Sequence, residues 1–231
     1  MRPSGYFVTG TDTGIGKTLV SAALMHALVG QGQRVAGMKP VASGALWQDG
    51  AWRNDDVETL RALANVALPT AIINPYLLRE PTAPHIAAAN EGKNIVLAHI
   101  EQCFAQIVPC VDSVIVEGVG GFLVPLNDQH DTADLACRLG LPLILVVGIK
   151  LGCISHALLS MQAIAARGLP LAGWVANIVA PEMLYLQSTI SSLQDRISAP
   201  MLGCIPYLPQ AASDAVGAAR SAAAFMELRR L

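Results

Sequence analysis

Gly10-Thr11-Asp12-Thr13-Gly14-Ile15-Gly16-Lys17-Thr18 follows directly on the apolar run Tyr6-Phe7-Val8. This order of buried strand, glycine-rich loop and helix start decides the fold class. Such a loop turns successive backbone N–H groups inward and makes an anion cradle at a helix N-terminus. Lys17 has the reach for β- and γ-phosphates, and the Thr18 hydroxyl suits Mg²⁺. Chemistry on a nucleoside triphosphate is the first expectation. The loop is a variant, because Thr11 stands where the standard spacing has its first glycine and Gly10 comes one residue earlier.

Outward from the loop, apolar strands alternate with helical stretches. Strands are expected at Tyr6–Thr9, Arg34–Lys39, Val111–Glu117, Leu143–Val147, Leu171–Ala176 and Leu202–Ile205. Helices are expected at Thr18–Leu28, Asp131–Leu139, Ser155–Arg167 and Met183–Arg196, with an Ala-rich helical tail from Ala211. Nearly continuous apolar strands separated by helices predict a single-domain, doubly wound, mostly parallel α/β sheet over residues 1–231. Residues 42–94 carry Pro69, Pro75, Pro81 and Pro84 and read as helices and active-site loops of the same domain.

Composition narrows the function classes. The chain has 231 residues, 53% of them hydrophobic and 14% charged, which suits one well-buried core with some apolar surface hidden by self-association. A net charge of −2 with no basic cluster excludes a nucleic-acid binder. The longest apolar run, Leu139 to Ile149, is too short to span a bilayer and stops at Lys150. Five scattered cysteines without a CxxC pair, and no leader before the first strand, predict free thiols in a cytoplasmic protein.

In parallel sheets ligands bind beyond the carboxyl ends of the strands. The polar residues there are the loop 10–18, Lys39, Glu117, Lys150 and Asn177. Glu117, ahead of Gly118-Val119-Gly120-Gly121, suits Mg²⁺ held directly or through water. Asp55 and Asp56 are equivalent second candidates on spacing alone. Lys39 suits a transferred phosphoryl or carboxylate-like group, and Ser43 a polar substrate. His85, in a proline-rich loop, reads as structural rather than as a general base.

Several blocks in order resemble dethiobiotin synthetase, the ATP-dependent enzyme family of biotin synthesis. They are the stretch Tyr6–Thr18, Gly37-Met38-Lys39-Pro40-Val41-Ala42-Ser43-Gly44, Asn74-Pro75-Tyr76, Glu80-Pro81-Thr82-Ala83-Pro84-His85, Val116–Gly121, Leu145–Ile154 and Leu171–Asn177. The resemblance runs from about Tyr6 to about Pro206. It implies a phosphate-loop NTPase-like fold and closure of a ureido ring on 7,8-diaminononanoate with CO₂ and MgATP. It implies that Gly14, Ile15, Gly16, Lys17, Thr18 and Leu19, together with Asp56, Glu117, Gly118, Val119 and Gly120, surround ATP. Asn177, Ile178, Pro206, Tyr207 and Leu208 would complete the nucleotide site, against the adenine. Thr18, Asp56 and Glu117 would ligate Mg²⁺, Lys39 and Lys17 would be catalytic, and Ser43 and Thr13 would touch the diamine. The family is a homodimer with its substrate site at the subunit interface, where Leu151–Ser155 falls. Gly14 replaces an acidic residue of some members, Ser155 replaces an asparagine, and Glu182–Ser198 matches poorly.

Two rival classes fit less well. A glutamine-dependent amidating ligase needs a nucleophilic-cysteine domain, for which the chain has no room. A partner-positioning switch ATPase usually carries a second lysine early in the phosphate loop, where this chain has Thr11 and Asp12.

Overall fold

The computed structural model describes residues 4–230. In chain order the elements are β1 (Ser4–Gly10), α1 (Lys17–Gly30), β2 (Val35–Met38), β3 (Val41–Ala42), β4 (Leu46–Gln48), β5 (Ala51–Arg53), α2 (Asp55–Leu63), α3 (Thr70–Ile73), β6 (Tyr76–Leu77), α4 (Pro84–Asn90), α5 (Leu97–Ile107), β7 (Ser113–Glu117), α6 (Thr132–Leu139), β8 (Leu143–Ile149), α7 (Cys153–Ala166), β9 (Leu171–Ile178), α8 (Leu186–Gln194), β10 (Met201–Ile205) and α9 (Ala215–Ala223).

Six strands form one sheet in the order β10-β9-β8-β1-β7-β2, with every neighbouring pair parallel. The chain leaves β1 for the β2 edge, returns through β7, then crosses to β8 on the other side. β1 is therefore the point at which the winding reverses, and the crevice beyond its carboxyl end is the expected binding place.

Alternation along the strands divides the core between the two sheet faces. Leu143, Leu145, Val147 and Ile149 of β8 pack on one face with α5, α6, α7 and α8. Ile144 and Val146 pack on the other with α1 and α9. Burial on both faces explains why β8 is apolar throughout.

Register does the positioning. Met38 of β2 pairs with Val116 of β7, so the next residues, Lys39 and Glu117, emerge side by side. Val8 pairs with Glu117, and Gly10 with Val146. The phosphate loop thus leaves the sheet beside the acidic end of β7.

Several expectations are corrected. Residues 41–77 also contain two small two-stranded sheets, β3 with β6 and β4 with β5. The β4–β5 hairpin turns on Asp49-Gly50, both at positive φ (50° and 77°), as a tight two-residue hairpin turn requires. β9 continues through Ile178, so Asn177 lies inside the strand rather than after it. The expected helix at Met183–Arg196 is shorter, running Leu186–Gln194 behind Tyr185 at φ 55°. The Ala-rich tail begins with a 3-10 turn at Pro209–Ala212, and its α-helix starts at Ala215, where the Asp214 carboxylate accepts the Gly217 N–H. Among the described residues no helix is long and apolar enough to cross a membrane.

Candidate functional site

A cleft of about 1570 Å³ lies beyond the carboxyl ends of the central strands. One wall is the phosphate loop. Gly16, at φ 88°, is the last residue before α1, whose N-terminus has no side-chain cap and no acidic residue in its first turn. The free N–H groups of that turn face the loop and suit an anion. A Cβ at Gly16 would collide with the Asn177 side-chain amide. That amide donates to the Ile15 carbonyl at 2.8 Å and ties β9 to the loop. Ile15 itself is buried in the core. Its backbone belongs to the loop while its side chain anchors it.

Lys17 donates to the backbone carbonyl of Asp12 at 2.7 Å. The Asp12 carboxylate accepts the Thr13 N–H at 2.8 Å and pairs with Lys150 at 2.9 Å. The hydrogen bond from Lys150 and then that from Thr13 hold Asp12 below the usual carboxylate range. Burial, with Lys39 nearby, lowers Lys17 to about 8. An ammonium so poorly solvated gains a counter-charge from an incoming anion, which favours its protonated form.

The opposite wall carries the acids. Lys39 is 4% exposed and Glu117 1%. The Lys39 ammonium lies 2.5 Å from Glu117 Oε1, 2.9 Å from Asp56 Oδ2 and 3.2 Å from the Gly118 carbonyl. Three acceptors thus meet its three N–H donors. The Thr18 hydroxyl lies 2.7 Å from Asp56 Oδ1 and 2.9 Å from Glu117 Oε1, and its single proton serves one of them at a time. Glu117 Oε2 is buried with no hydrogen-bond partner. Burial, reinforced by the Asp56 charge, pushes the Glu117 carboxyl up. Burial would also raise Asp56, but the Lys39 charge, the hydrogen bonds from Lys39 and Thr18 and the Lys17 charge together hold it low.

Two asparagines hold this wall, and the expected site residues did not include them. Asn74 is buried and donates to the Lys39 carbonyl at 2.6 Å. Asn54 caps α2, accepting from the backbone N–H groups of Asp56 and Val57, which fixes Asp56 toward Thr18. Asp55 is exposed, and it is Asp56 that reaches Thr18 and Lys39. An asparagine directly before an acidic helical start is a capping signal visible in sequence. Asn74 lies in the block Asn74-Pro75-Tyr76, but nothing local shows its contact with Lys39.

The cleft brings together Thr13, Gly14, Gly16, Lys17, Thr18, Leu19, Lys39, Ser43, Asp56, Glu117, Val119, Gly120, Asn177, Ile178, Tyr207 and Leu208. Ile15, Gly118 and Pro206 are not among its lining residues. The Ser43 hydroxyl is buried without a partner. His85 does not line the cleft. A second hollow, about 440 Å³, lies beside β2 and contains none of the expected residues.

Mg²⁺ fits the oxygen set. The Thr18 hydroxyl and two carboxylates are hard donors, and the orphaned Glu117 oxygen has unused acceptor capacity. Among the described residues no group of three or more His, Cys, Asp or Glu forms a metal cage. A site completed by phosphate oxygens and water is what Mg²⁺ ordinarily uses. All five cysteines are free.

Solved structures of the same fold are known. The MinC:MinD cell division protein complex of Aquifex aeolicus superimposes with a TM-score of 0.59 at 14% identity, over 95% of this chain and 92% of that one. A ParA family ATPase from Chlorobium tepidum TLS gives 0.58 at 15% identity, over 96% and 90%. The septum site-determining protein MinD from Pyrococcus horikoshii OT3, complexed with Mg-ADP, gives 0.54 at 15% identity, over 100% and 89%. At these identities the likeness establishes the fold, that of ATP-binding phosphate-loop proteins. Residues 4–215 match the family model AAA_26, described as an AAA domain, and the chain belongs to this family, which includes dethiobiotin synthetase.

Proposed function

We propose that the protein is an ATP-dependent cyclo-ligase of the dethiobiotin synthetase type, which converts 7,8-diaminononanoate and CO₂ to dethiobiotin. One amine of the substrate adds to CO₂ and loses a proton to give a carbamate. A carbamate oxygen takes the γ-phosphoryl group of ATP, and ADP leaves. The second amine attacks the carbamoyl carbon of this mixed anhydride, expels phosphate and closes the ureido ring.

The observation that carries the reading is the convergence of two buried lysines on one cleft. Lys17 stands on the loop wall and Lys39 on the acidic wall. Carbamate and triphosphate repel one another, so cations on both sides are what the transfer requires. Phosphoryl transfer otherwise asks mainly for positioning, and little acid–base apparatus is needed. Thr18, Asp56 and Glu117 would hold Mg²⁺, which supplies charge neutralisation of the phosphates when bound. Ser43, with its unpartnered hydroxyl, and Thr13 would orient the diamine. Asn177 and Ile178 with Tyr207 and Leu208 would enclose the adenine, Pro206 shaping that turn. Leu151 is 95% exposed beside the start of α7. An apolar side chain there suits the homodimer interface at which a neighbouring subunit would complete the substrate site.

The test is ADP release from MgATP and bicarbonate with and without 7,8-diaminononanoate. Release that depends on the diamine supports the ligase. Hydrolysis indifferent to the diamine overturns it in favour of a switch ATPase.

A further inference from the structure

Lys39 cannot hold a transferred group from the position it occupies. Its three N–H donors are spent on Glu117 Oε1, Asp56 Oδ2 and the Gly118 carbonyl. These acceptors include the carboxylates that a divalent ion would need, and the Thr18 hydroxyl lies within 2.9 Å of both. Ammonium and dication therefore compete for the same oxygens. The charge count agrees. Asp56 and Glu117 carry two negative charges, Lys17 and Lys39 two positive ones, and Asp12 and Lys150 cancel as a pair. A neutral constellation has little attraction for a dication, and the phosphates must bring the missing negative charge.

We propose that the Lys39 ammonium is the resident cation of this site, lodged on Asp56 and Glu117 until a divalent ion arriving with the nucleotide takes its place and frees it for the transferred group. The proposal rests on the cleft being a metal–nucleotide site. The backbone of Lys39 stays fixed during the exchange. Its N–H donates to the Ile73 carbonyl at 2.8 Å, and its carbonyl accepts from Asn74. Only the flexible side chain has to move. The exchange imposes an order, because the lysine becomes available when metal and triphosphate are both in place. Glu117 Oε2, orphaned while the lysine is lodged, gains a partner in the exchanged state.

The experiment is a titration with Mn²⁺ followed by electron paramagnetic resonance, at neutral pH. It compares free wild-type protein, Lys39→Met and Lys39→Arg, each with and without ADP. Wild type should bind Mn²⁺ weakly alone and firmly with ADP. Lys39→Met should bind Mn²⁺ alone at least roughly tenfold more tightly than wild type, since a positive charge has left the carboxylates. Lys39→Arg, which keeps the charge, should resemble wild type. Lys39→Met binding Mn²⁺ alone no better than wild type overturns the proposal. So does wild type binding Mn²⁺ as firmly without ADP as with it, a result that needs no variant to fold. Wild type failing to bind Mn²⁺ even with ADP would instead sink the metal–nucleotide reading beneath it.

Discussion

The phosphate loop and the wall facing it are held by different means. Residues 10–18 are fixed by their own glycine geometry and by the sheet beneath, through contacts such as the Asn177 amide on the Ile15 carbonyl. The facing wall depends on a network of side-chain hydrogen bonds and ion pairs. Asn74 reaches the Lys39 carbonyl, Lys39 reaches Glu117, and Asn54 caps the helix that presents Asp56. The loop is a backbone device that suits any polyphosphate. The wall is a side-chain device, and on it the account places what distinguishes one phosphoryl acceptor from another. Damage to the loop should therefore remove binding, whereas damage to the wall should remove turnover.

Lys39→Gln breaks the comparison most sharply. Turnover should fall by roughly a thousandfold or more, while ATP affinity stays within a few-fold. Steady-state rates set against equilibrium ATP titration check it, and equal losses in both would merge the two walls into one. Gly16→Ala should do the reverse. A side chain at φ 88° that also meets Asn177 costs about 1–3 kcal/mol and distorts the anion cradle. Nucleotide affinity should drop about a hundredfold, with a lower melting temperature. Asn74→Ala removes the anchor of Lys39 without touching the loop. It should cost about 1–3 kcal/mol of stability and lower kcat with little change in KM for ATP.

The loop wall also has its own pH signature. Lys17 is lowered to about 8 by burial and by Lys39. Its folded value lies below the unfolded one, so the charged lysine weakens the free fold below about pH 8. That penalty is relieved between about 8 and the ordinary lysine value near 10.5. Nucleotide affinity should run the opposite way, declining above about pH 8 as Lys17 loses its charge. Titration calorimetry across that range checks it, and a flat profile would remove Lys17 from the binding contacts. Asn54→Ala is the mildest change. Loss of the α2 cap should cost about 1 kcal/mol, read from denaturant unfolding, with a small rise in the Mg²⁺ requirement.

The same contrast explains what the sequence revealed. The loop was legible because its residues are adjacent, and Lys39 and Glu117 because each ends or follows an apolar strand. Their direct pairing needed the register of β2 against β7, which no local pattern carries. Asp56 could not be told from Asp55 by spacing. The resemblance singles it out, and the Asn54 cap, a signal present in the sequence, fixes the helix start that turns Asp56 toward Thr18. Asp49-Gly50 between Trp47 and Trp52 was likewise a readable hairpin turn. It was obscured because its strands are only three residues long and largely exposed, so they show no alternation of burial. Asn74 falls in a block of the resemblance, but its role has no local signal, since its partner lies 35 residues away.

If the cleft moves a phosphoryl group onto a carbamate before a ring closes, oxygen from CO₂ must end in phosphate. The purified protein is supplied with 7,8-diaminononanoate, MgATP and bicarbonate labelled in its oxygens, and the products are read by mass spectrometry. Dethiobiotin is expected in equal amount to ADP, with label in the released phosphate, because the carbamate oxygen leaves with phosphorus. Phosphate whose new oxygen comes only from water, with no dethiobiotin formed, would contradict it.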